Sequence, residues 1–577
     1  MVEKEMVSIL INWIYMGILV GIMGMALIQG YLCFMRKVNK GVENPDLGMG
    51  HIFFAGILGT TLYAQIFSLF FRVNMEANIL LMVLSFIYIL WQKTFIAEWL
   101  QNWKIKQPIS GKGGTAAAII VILVVIAFSL TAAGTVKLID TDWYHAQTIH
   151  WIEEYGCVKG VANLFYALGF NNAQHYLDAL FSMKWLFGQS LRGTGGFFAL
   201  VILFHGAGRV CKWKQHERHF ADMLAVWEMV YSIIVTAFNT EVYVDTLPNA
   251  MVLFILTEWF ILLEEKSEDT VWYGFYSLLA VFAVVCKTSV AMIVLLAVYP
   301  VYLLIKQKKK AQIPFYLGMG FLIALPWLIT NVWTTGYIVY LLSGIDLFPV
   351  SWKIDPEVLK YSVDNMVASA RNPAKPMAEV LSSGLSWVSA WWAGESISHQ
   401  ILYIGIAIFV LYDLCRVVID LIKKKKVNVT MLWPRICVYA GLVYWFFTIP
   451  QVKYCWSFLI FPVAFIPAFY WEKEKSNWVN KGLVLLSMLL LIMYSGFYGL
   501  RTLGYMRDGL LNYPVMQADY QRYVLNTVEV KGHTFYIRIE EGDIVSGYHN
   551  FPFLDNEENV EHLVTGNNLR EGFYFEN

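Results

Sequence analysis

Apolar runs alternate with short polar turns along almost the whole chain, at 8–34, 51–71, 76–97, 116–138, 192–211, 220–238, 247–264, 271–286, 288–305, 312–333, 399–422, 429–449, 456–471 and 480–500. Hydrocarbon cannot hydrogen-bond a bare backbone, so a spanning helix needs about 20 mostly apolar residues. The pattern predicts an all-α polytopic membrane protein of about fourteen transmembrane helices. The stretch 271–305 is long for one span and short for two. Charge decides it: Arg36-Lys37, Lys104/Lys106/Lys112, Lys212/Lys214/Arg218, Lys308 to Lys310, Lys423 to Lys426 and Lys473/Lys475 share one side only if 271–305 is a hairpin with Lys287 at its tip. The positive-inside bias makes that side the cytoplasm.

On this reading the chain divides into N-terminal helices (1–138), a first extracytoplasmic loop (139–191), central helices (192–333), a second such loop (334–398), C-terminal helices (399–500) and an extracytoplasmic tail (501–577). The tail alternates at His533-Thr534-Phe535-Tyr536-Ile537-Arg538-Ile539 and again at Gly572-Phe573-Tyr574-Phe575, which predicts a small β or α+β appendage.

With 58% hydrophobic and 15% charged residues, the chain is too apolar for a soluble domain of its length. Its net charge is zero and no basic block is interleaved with aromatics, so no nucleic-acid partner is expected. Short cytoplasmic turns without a Walker or G-x-G-x-x-G motif leave no nucleotide site, and the expected chemistry uses a non-nucleotide donor. The seven cysteines fall singly, with no C-x-x-C pair, and read as small hydrophobes. Met1 to Met6 carry charges of both signs ahead of a run too long for a signal-peptide core, so the first helix is expected to be retained. No repeat of 20–50 residues is evident.

The first outer loop opens Ile139-Asp140-Thr141-Asp142-Trp143-Tyr144-His145 and runs on as an amphipathic helix through Glu154. A carboxylate just beyond a membrane helix is placed to deprotonate a hydroxyl or to hold a cation against a phosphate. Asp142 and His145 share a helix face at i,i+3, whereas the plainer role for either aspartate is to cap the helix. Lys159 lies in the turn that follows, and Trp143, Trp151, Tyr166 and Trp185 suit a headgroup-level aromatic belt. Glu241 and Asp245 lie at the outer surface before a helix opened by Pro248, as substrate ligands or as caps. Lys287 among apolar neighbours calls for an anionic partner, unless it merely snorkels, and Lys453 is a second boundary cation. Two cations converging there would hold a phosphate headgroup.

These residues, in this order, resemble the multi-pass GT-C glycosyltransferases, the class of dolichyl-phosphate-mannose protein mannosyltransferases and lipid A aminoarabinose transferases. They look closer still to an uncharacterised bacterial branch, the LIC_10190 membrane protein family. The resemblance is strongest in Asp140 to Asn172, Asp245 to Pro248, Pro326 to Trp352 and Asp519 to Phe573. It implies a GT-C-like fold in a bacterial plasma membrane with an extracytoplasmic active site. It further implies inverting transfer of a sugar from a polyprenyl-phosphate donor to an acceptor of the cell envelope. Asp142 is then the base and Asp140 its partner or a cation ligand, with His145, Lys159, Asp245, Lys287 and Lys453 binding substrate. A divalent cation is the one cofactor left open, with no metal ligands assigned. The chain departs from the family at Lys453-Tyr454, where an arginine precedes the aromatic elsewhere, because lysine cannot fork onto a phosphate.

A lipid-linked sugar flippase or other transporter would need charges deep within spans, where Glu228 and Glu258 are the candidates. A polysaccharide polymerase or ligase would carry a large arginine-rich outer loop, and 334–398 holds only Arg371.

Overall fold

The computed structural model describes residues 7–38, 47–106, 112–474, 477–537, 545–555, 560 and 562–575. A helix stands at each of the apolar runs. The first group is α1 (Val7–Val38), α2 (Met49–Ser68), α3 (Met75–Trp91), α4 (Lys93–Lys106) and α5 (Lys112–Ala132). Three short helices follow, α6 (Ala146–Tyr155), α7 (Ala173–Leu180) and α8 (Lys184–Phe187). The central group is α9 (Thr194–Val210), α10 (Phe220–Thr236), α11 (Thr246–Glu264), α12 (Thr270–Cys286), α13 (Val298–Lys306) and α14 (Ile313–Thr335). Another three short helices, α15 (Pro356–Arg371), α16 (Met377–Ser382) and α17 (Trp387–Gly394), precede α18 (Ile397–Ile422), α19 (Val429–Phe447), α20 (Trp456–Lys473) and α21 (Trp478–Asn512).

Of the roughly fourteen spans expected, helix length and apolarity support nine to ten. Among the described residues nine helices are long and apolar enough to cross a membrane, or ten if α3 and the start of α4, bent by 82°, count as one. The protein is therefore a multi-pass membrane protein by composition and helix length. The difference lies in the centre of the bundle, where α9, α10 and α12 have 17 residues each and α20 has 18. Seventeen residues rise about 25 Å, short of a hydrocarbon core of about 30 Å. Phe220, Trp227 and Tyr231 on α10, and Phe458, Phe461 and Phe465 on α20, are buried among other helices, so these elements need not match a lipid thickness. Pro462 and Pro467 interrupt α20 where neighbouring helices surround it.

Small residues let α1 and α2 pack backbone to backbone. A Cβ on Gly24 would lie 1.9 Å from the Ile52 carbonyl oxygen, and one on Gly56 1.9 Å from that of Val20. The stretch 270–306 does turn back on itself. Lys287, extended at φ −157° and ψ 124°, ends α12, a 3₁₀ segment Thr288–Ala297 leads into α13, and Gln307 Nε2 at its end donates to the Glu268 carbonyl at 2.8 Å.

The basic turns gather at one end of the bundle. There Arg209 donates to Asp222 and Glu264 at 2.7 and 2.8 Å, the His219 amide donates to Glu472 at 2.6 Å, and Lys306 pairs with Glu268. At the opposite end lie the 139–191 and 334–398 segments and the tail.

The tail carries the expected strands. β1 (Asn526–Val530) and β2 (His533–Ile537) form an antiparallel hairpin with Val528 opposite Phe535, turned by Lys531 and Gly532 at φ 48° and 85°. β3 (Phe553–Leu554) joins β2 in parallel, and β4 (Leu563–Thr565) pairs with β5 (Phe573–Phe575). Arg538 and Ile539, in the expected strand, lie outside the described residues.

The tail is docked on the 139–191 segment. Phe573 N donates to the Lys159 carbonyl and Asp555 N to the Leu164 carbonyl, both at 2.9 Å, and Gln147 Nε2 donates to the Gly547 and Asn550 carbonyls at 2.8 and 2.7 Å. Trp151 and Tyr166 are buried in this contact with Phe535 and Phe573, not spread in an aromatic belt.

Candidate functional site

Asp140 follows α5 and opens a π turn, Thr141–His145, that runs into α6. Glu241, buried in the turn between α10 and α11, holds this entrance. It accepts from the Lys137 amide at 2.8 Å and from Thr141 Oγ1 at 3.0 Å, so it positions the chain rather than facing the lysines.

Lys453 stands in a 3₁₀ turn, Val452–Tyr454, between α19 and α20. Its Nζ donates to Asp140 Oδ2 at 2.5 Å across 313 residues of sequence. Lys287 pairs with Asp245, the residue before α11, in ionic contact without hydrogen-bond geometry. The two lysines converge, with Lys287 Nζ 4.2 Å and Lys453 Nζ 5.2 Å from the centre of the Tyr454 ring.

The scaffold beneath is polar and saturated. Asn249, one turn along α11 from Asp245, donates to the Asp245 and Lys453 carbonyls at 3.0 and 3.2 Å and accepts from the Ser457 amide at 2.9 Å. Ser289 Oγ donates to the Tyr454 carbonyl at 3.0 Å. The charged heads remain within reach of solvent: the side chains of Asp140, Lys453 and Lys287 are 35%, 26% and 21% exposed, and that of Asp245 only 5%.

Burial works against the Lys453 ammonium, but the negative charge of Tyr454 (when ionised), Asp140 and Asp245 outweighs it and holds its pKa above the ordinary lysine value. A neutral histidine layer lies behind. His145 Nδ1 is 2.7 Å from His175 Nε2, and the Tyr144 ring covers His145 at 4.0 Å between centres. Burial, then His175 and the two lysines, push the His145 imidazole well below its usual value, and burial with Lys287 takes His175 down to about 3.

Asp142 departs from expectation. Its carboxylate does not meet His145 but accepts from Tyr523 Oη of the tail at 2.7 Å, while its carbonyl accepts from the Ser546 and Gly547 amides at 3.1 and 2.8 Å. The reason is local: a π turn widens the angle per turn, so i and i+3 no longer share the face they would on an α-helix. Burial raises the Asp142 carboxyl, against the lowering pull of Tyr523 and Arg192. Lys159 is also elsewhere, its Nζ lying over the Trp333 and Trp352 rings at 5.0 and 5.2 Å.

Of the seven expected site residues, Asp140, His145, Asp245, Lys287 and Lys453 come together, and Asp142 and Lys159 do not. Asn249, Tyr454 and His175 complete the cluster. Asn249 was legible as the i+4 neighbour of Asp245, whereas nothing in sequence points to His175. Among the described residues no group of three or more His, Cys, Asp or Glu could hold a metal ion. The cluster can neutralise an anion with two ammonium groups and offers a solvent-reachable carboxylate beside them. No curated protein and no solved structure matches the chain. Residues 6–460 match the family described as Domain of unknown function (DUF8201), and with most of its length covered the chain belongs to that family.

Proposed function

We propose that the protein is a GT-C-type glycosyltransferase that moves a sugar from a polyprenyl-phosphate carrier to an extracytoplasmic acceptor. The observation that carries this reading is the pairing of Asp140 with Lys453 and of Asp245 with Lys287 around Tyr454, at the end of the bundle away from the basic turns. In this mechanism the acceptor hydroxyl gives its proton to Asp140 and attacks the anomeric carbon. The bond from that carbon to the phosphate oxygen breaks with its electron pair going to the polyprenyl phosphate, and Lys287 and Lys453 balance the charge. Asp140 takes the base role first given to Asp142, because it faces the lysines while Asp142 is sealed against the tail.

Positioned proton transfer contributes about 10²- to 10⁴-fold, so Asp140→Asn is expected to lower transfer by that order. The test uses the full chain in proteoliposomes with a panel of polyprenyl-phosphate sugars. Transfer by Asp140→Asn at the unaltered rate would refute the assignment.

A transporter of lipid-linked sugars is favoured by a different observation. Glu228 and Glu258 are buried within helices and bonded to His205 at 2.7 and 2.9 Å, which is the deep charge that such a reading requires. Carrier-lipid translocation in the same proteoliposomes, without sugar transfer, would select it.

A further inference from the structure

Five helices contribute one side chain each to a polar chain inside the bundle. His205 on α9 lies between two carboxylates, with Nδ1 2.7 Å from Glu228 Oε2 on α10 and Nε2 2.9 Å from Glu258 Oε1 on α11. Tyr276 Oη on α12 is 3.0 Å from Glu258 Oε2 and 2.8 Å from His51 Nε2 on α2, which itself is 3.3 Å from Glu258. Thr257 Oγ1 closes the far end by donating to Glu228 Oε1 at 2.6 Å.

Glycines beside both imidazoles allow this approach. A Cβ on Gly50 would lie 2.6 Å from His205 Cδ2, and one on Gly206 would lie 2.5 Å from the Ala225 carbonyl oxygen and 3.2 Å from Glu228. Glu258 is six residues from the end of α11, about 9 Å of helical rise from the basic turns.

Donor counting sets the proton content. Each contact between His205 and a carboxylate needs a proton on it, and a neutral imidazole supplies one. The triad of His205, Glu228 and Glu258 therefore holds one proton more than a neutral imidazole and two carboxylates carry, and its net charge is −1. His51 can remove that charge. With its Nε2 bonded to Tyr276, its Nδ1 is buried and without a partner among the described residues, and a proton bound there brings the cluster to neutrality beside Glu258. An uncompensated charge in the bundle interior is costly, so the neutral state is favoured.

The other charged groups nearby do not supply the balance. Arg209, one turn along α9, is committed to Asp222 and Glu264, His216 and His219 face Asp222, and Asp269 and Glu265 lie towards the basic end near Tyr276.

We propose that this cluster is a proton-binding site, with one proton held between His205 and the two glutamates and a second taken at His51 Nδ1. Among the described residues the chain of contacts ends at Thr257. α11 and α12 each link it to the outer cluster, α11 from Glu258 back to Asp245 and α12 from Tyr276 to Lys287. The inference does not depend on the transfer reaction.

The test is solid-state NMR of the full chain in lipid, with nitrogen-labelled histidine and carbon-labelled glutamate. Near neutral pH one imidazole is expected to carry protons on both nitrogens and to show through-space correlations from both to glutamate carboxyl carbons. That signal should vanish in His205→Gln. A second imidazole with protons on both nitrogens is expected, and it should vanish in His51→Gln. Should His205→Gln fail to fold, the wild-type correlations decide alone, because among the described residues only His205 meets two glutamates. A singly protonated imidazole between the glutamates, or a His51 with only one proton, overturns the proposal.

Discussion

Asp178 offers a pH-dependent stability that can be isolated by one substitution. It lies on α7, 4% exposed, accepting from Thr194 Oγ1, and burial raises its carboxyl from 3.8 to about 7, against the lowering effect of Thr194 and Gln174. The folded chain thus binds this proton more tightly than the unfolded chain. Its contribution to stability is fully present below the unfolded pKa, near 4, and is lost as pH rises through the folded value, near 7. At 1.36 kcal/mol per unit, three units amount to at most about 4 kcal/mol. The raw stability curve conceals this, because His150 and His175 are both held neutral down to about 3 by burial, and their loss of stability on acidification has the opposite slope. Asp178→Asn keeps the shape and the acceptor for Thr194 but cannot titrate. Stability of wild type minus that of Asp178→Asn, measured by denaturant titration of the purified chain in mild detergent at a series of pH values, is expected to fall between pH 4 and 7 and to be flat on either side. A flat difference across that window, or one that rises with pH, would show that the carboxyl is ionised and that burial does not control it.

Three further outcomes follow from contacts described above or beside them. Asp413 of α18 is fully buried and accepts from Arg435, and from Tyr439 and Tyr470 at 2.6 and 2.8 Å, so Arg435→Met is expected to cost about 3–5 kcal/mol by stranding the carboxylate. Arg435→Met with Asp413→Leu should recover most of this loss in the same unfolding assay, and a double variant as unstable as the single one would contradict the desolvation account. Asn249→Ala removes the donor shared by the Asp245 and Lys453 carbonyls, and a loss of about 1–3 kcal/mol with weakened binding of polyprenyl phosphate in native mass spectrometry is expected. Unchanged affinity would mean that the lysines do not need this scaffold. Gly56→Val places side-chain atoms where α1 and α2 touch, and a fall in folded yield by fluorescence-detected gel filtration is expected, whereas a wild-type profile would show that the helices can separate freely.

Much of the helical order was legible because hydrophobic run length is a local property. The break at Lys287 could be read from the sidedness of the basic turns, since only a reversal there keeps Lys308 to Lys310 with the others. Run length alone does not fix the span number, because a run of 17 apolar residues reads alike whether lipid or protein surrounds it, and α10 and α12 are buried largely among other helices. The site was legible where single residues broke an apolar pattern: Lys287 and Lys453 drew attention as boundary cations, and their convergence on Tyr454 is a tertiary fact. Asp142 was misdirected by two features that no local spacing encodes, a π turn and a hydrogen bond from Tyr523 of the tail, 381 residues away. His51 and His205 passed unnoticed among apolar neighbours, although their partners Glu228 and Glu258 stood out.

The seal made by the tail also bears on how the protein is built during synthesis. Gln147, His150 and Glu153 take partners among Gly547, Tyr548 and Asn550, residues made some 400 positions later. A nascent chain that has already inserted every helix through α21 still lacks these tail partners. The 139–191 segment thus emerges long before it can mature, and a ribosome that stops at Asn512 releases a bundle whose aspartate-bearing rim lacks its cover.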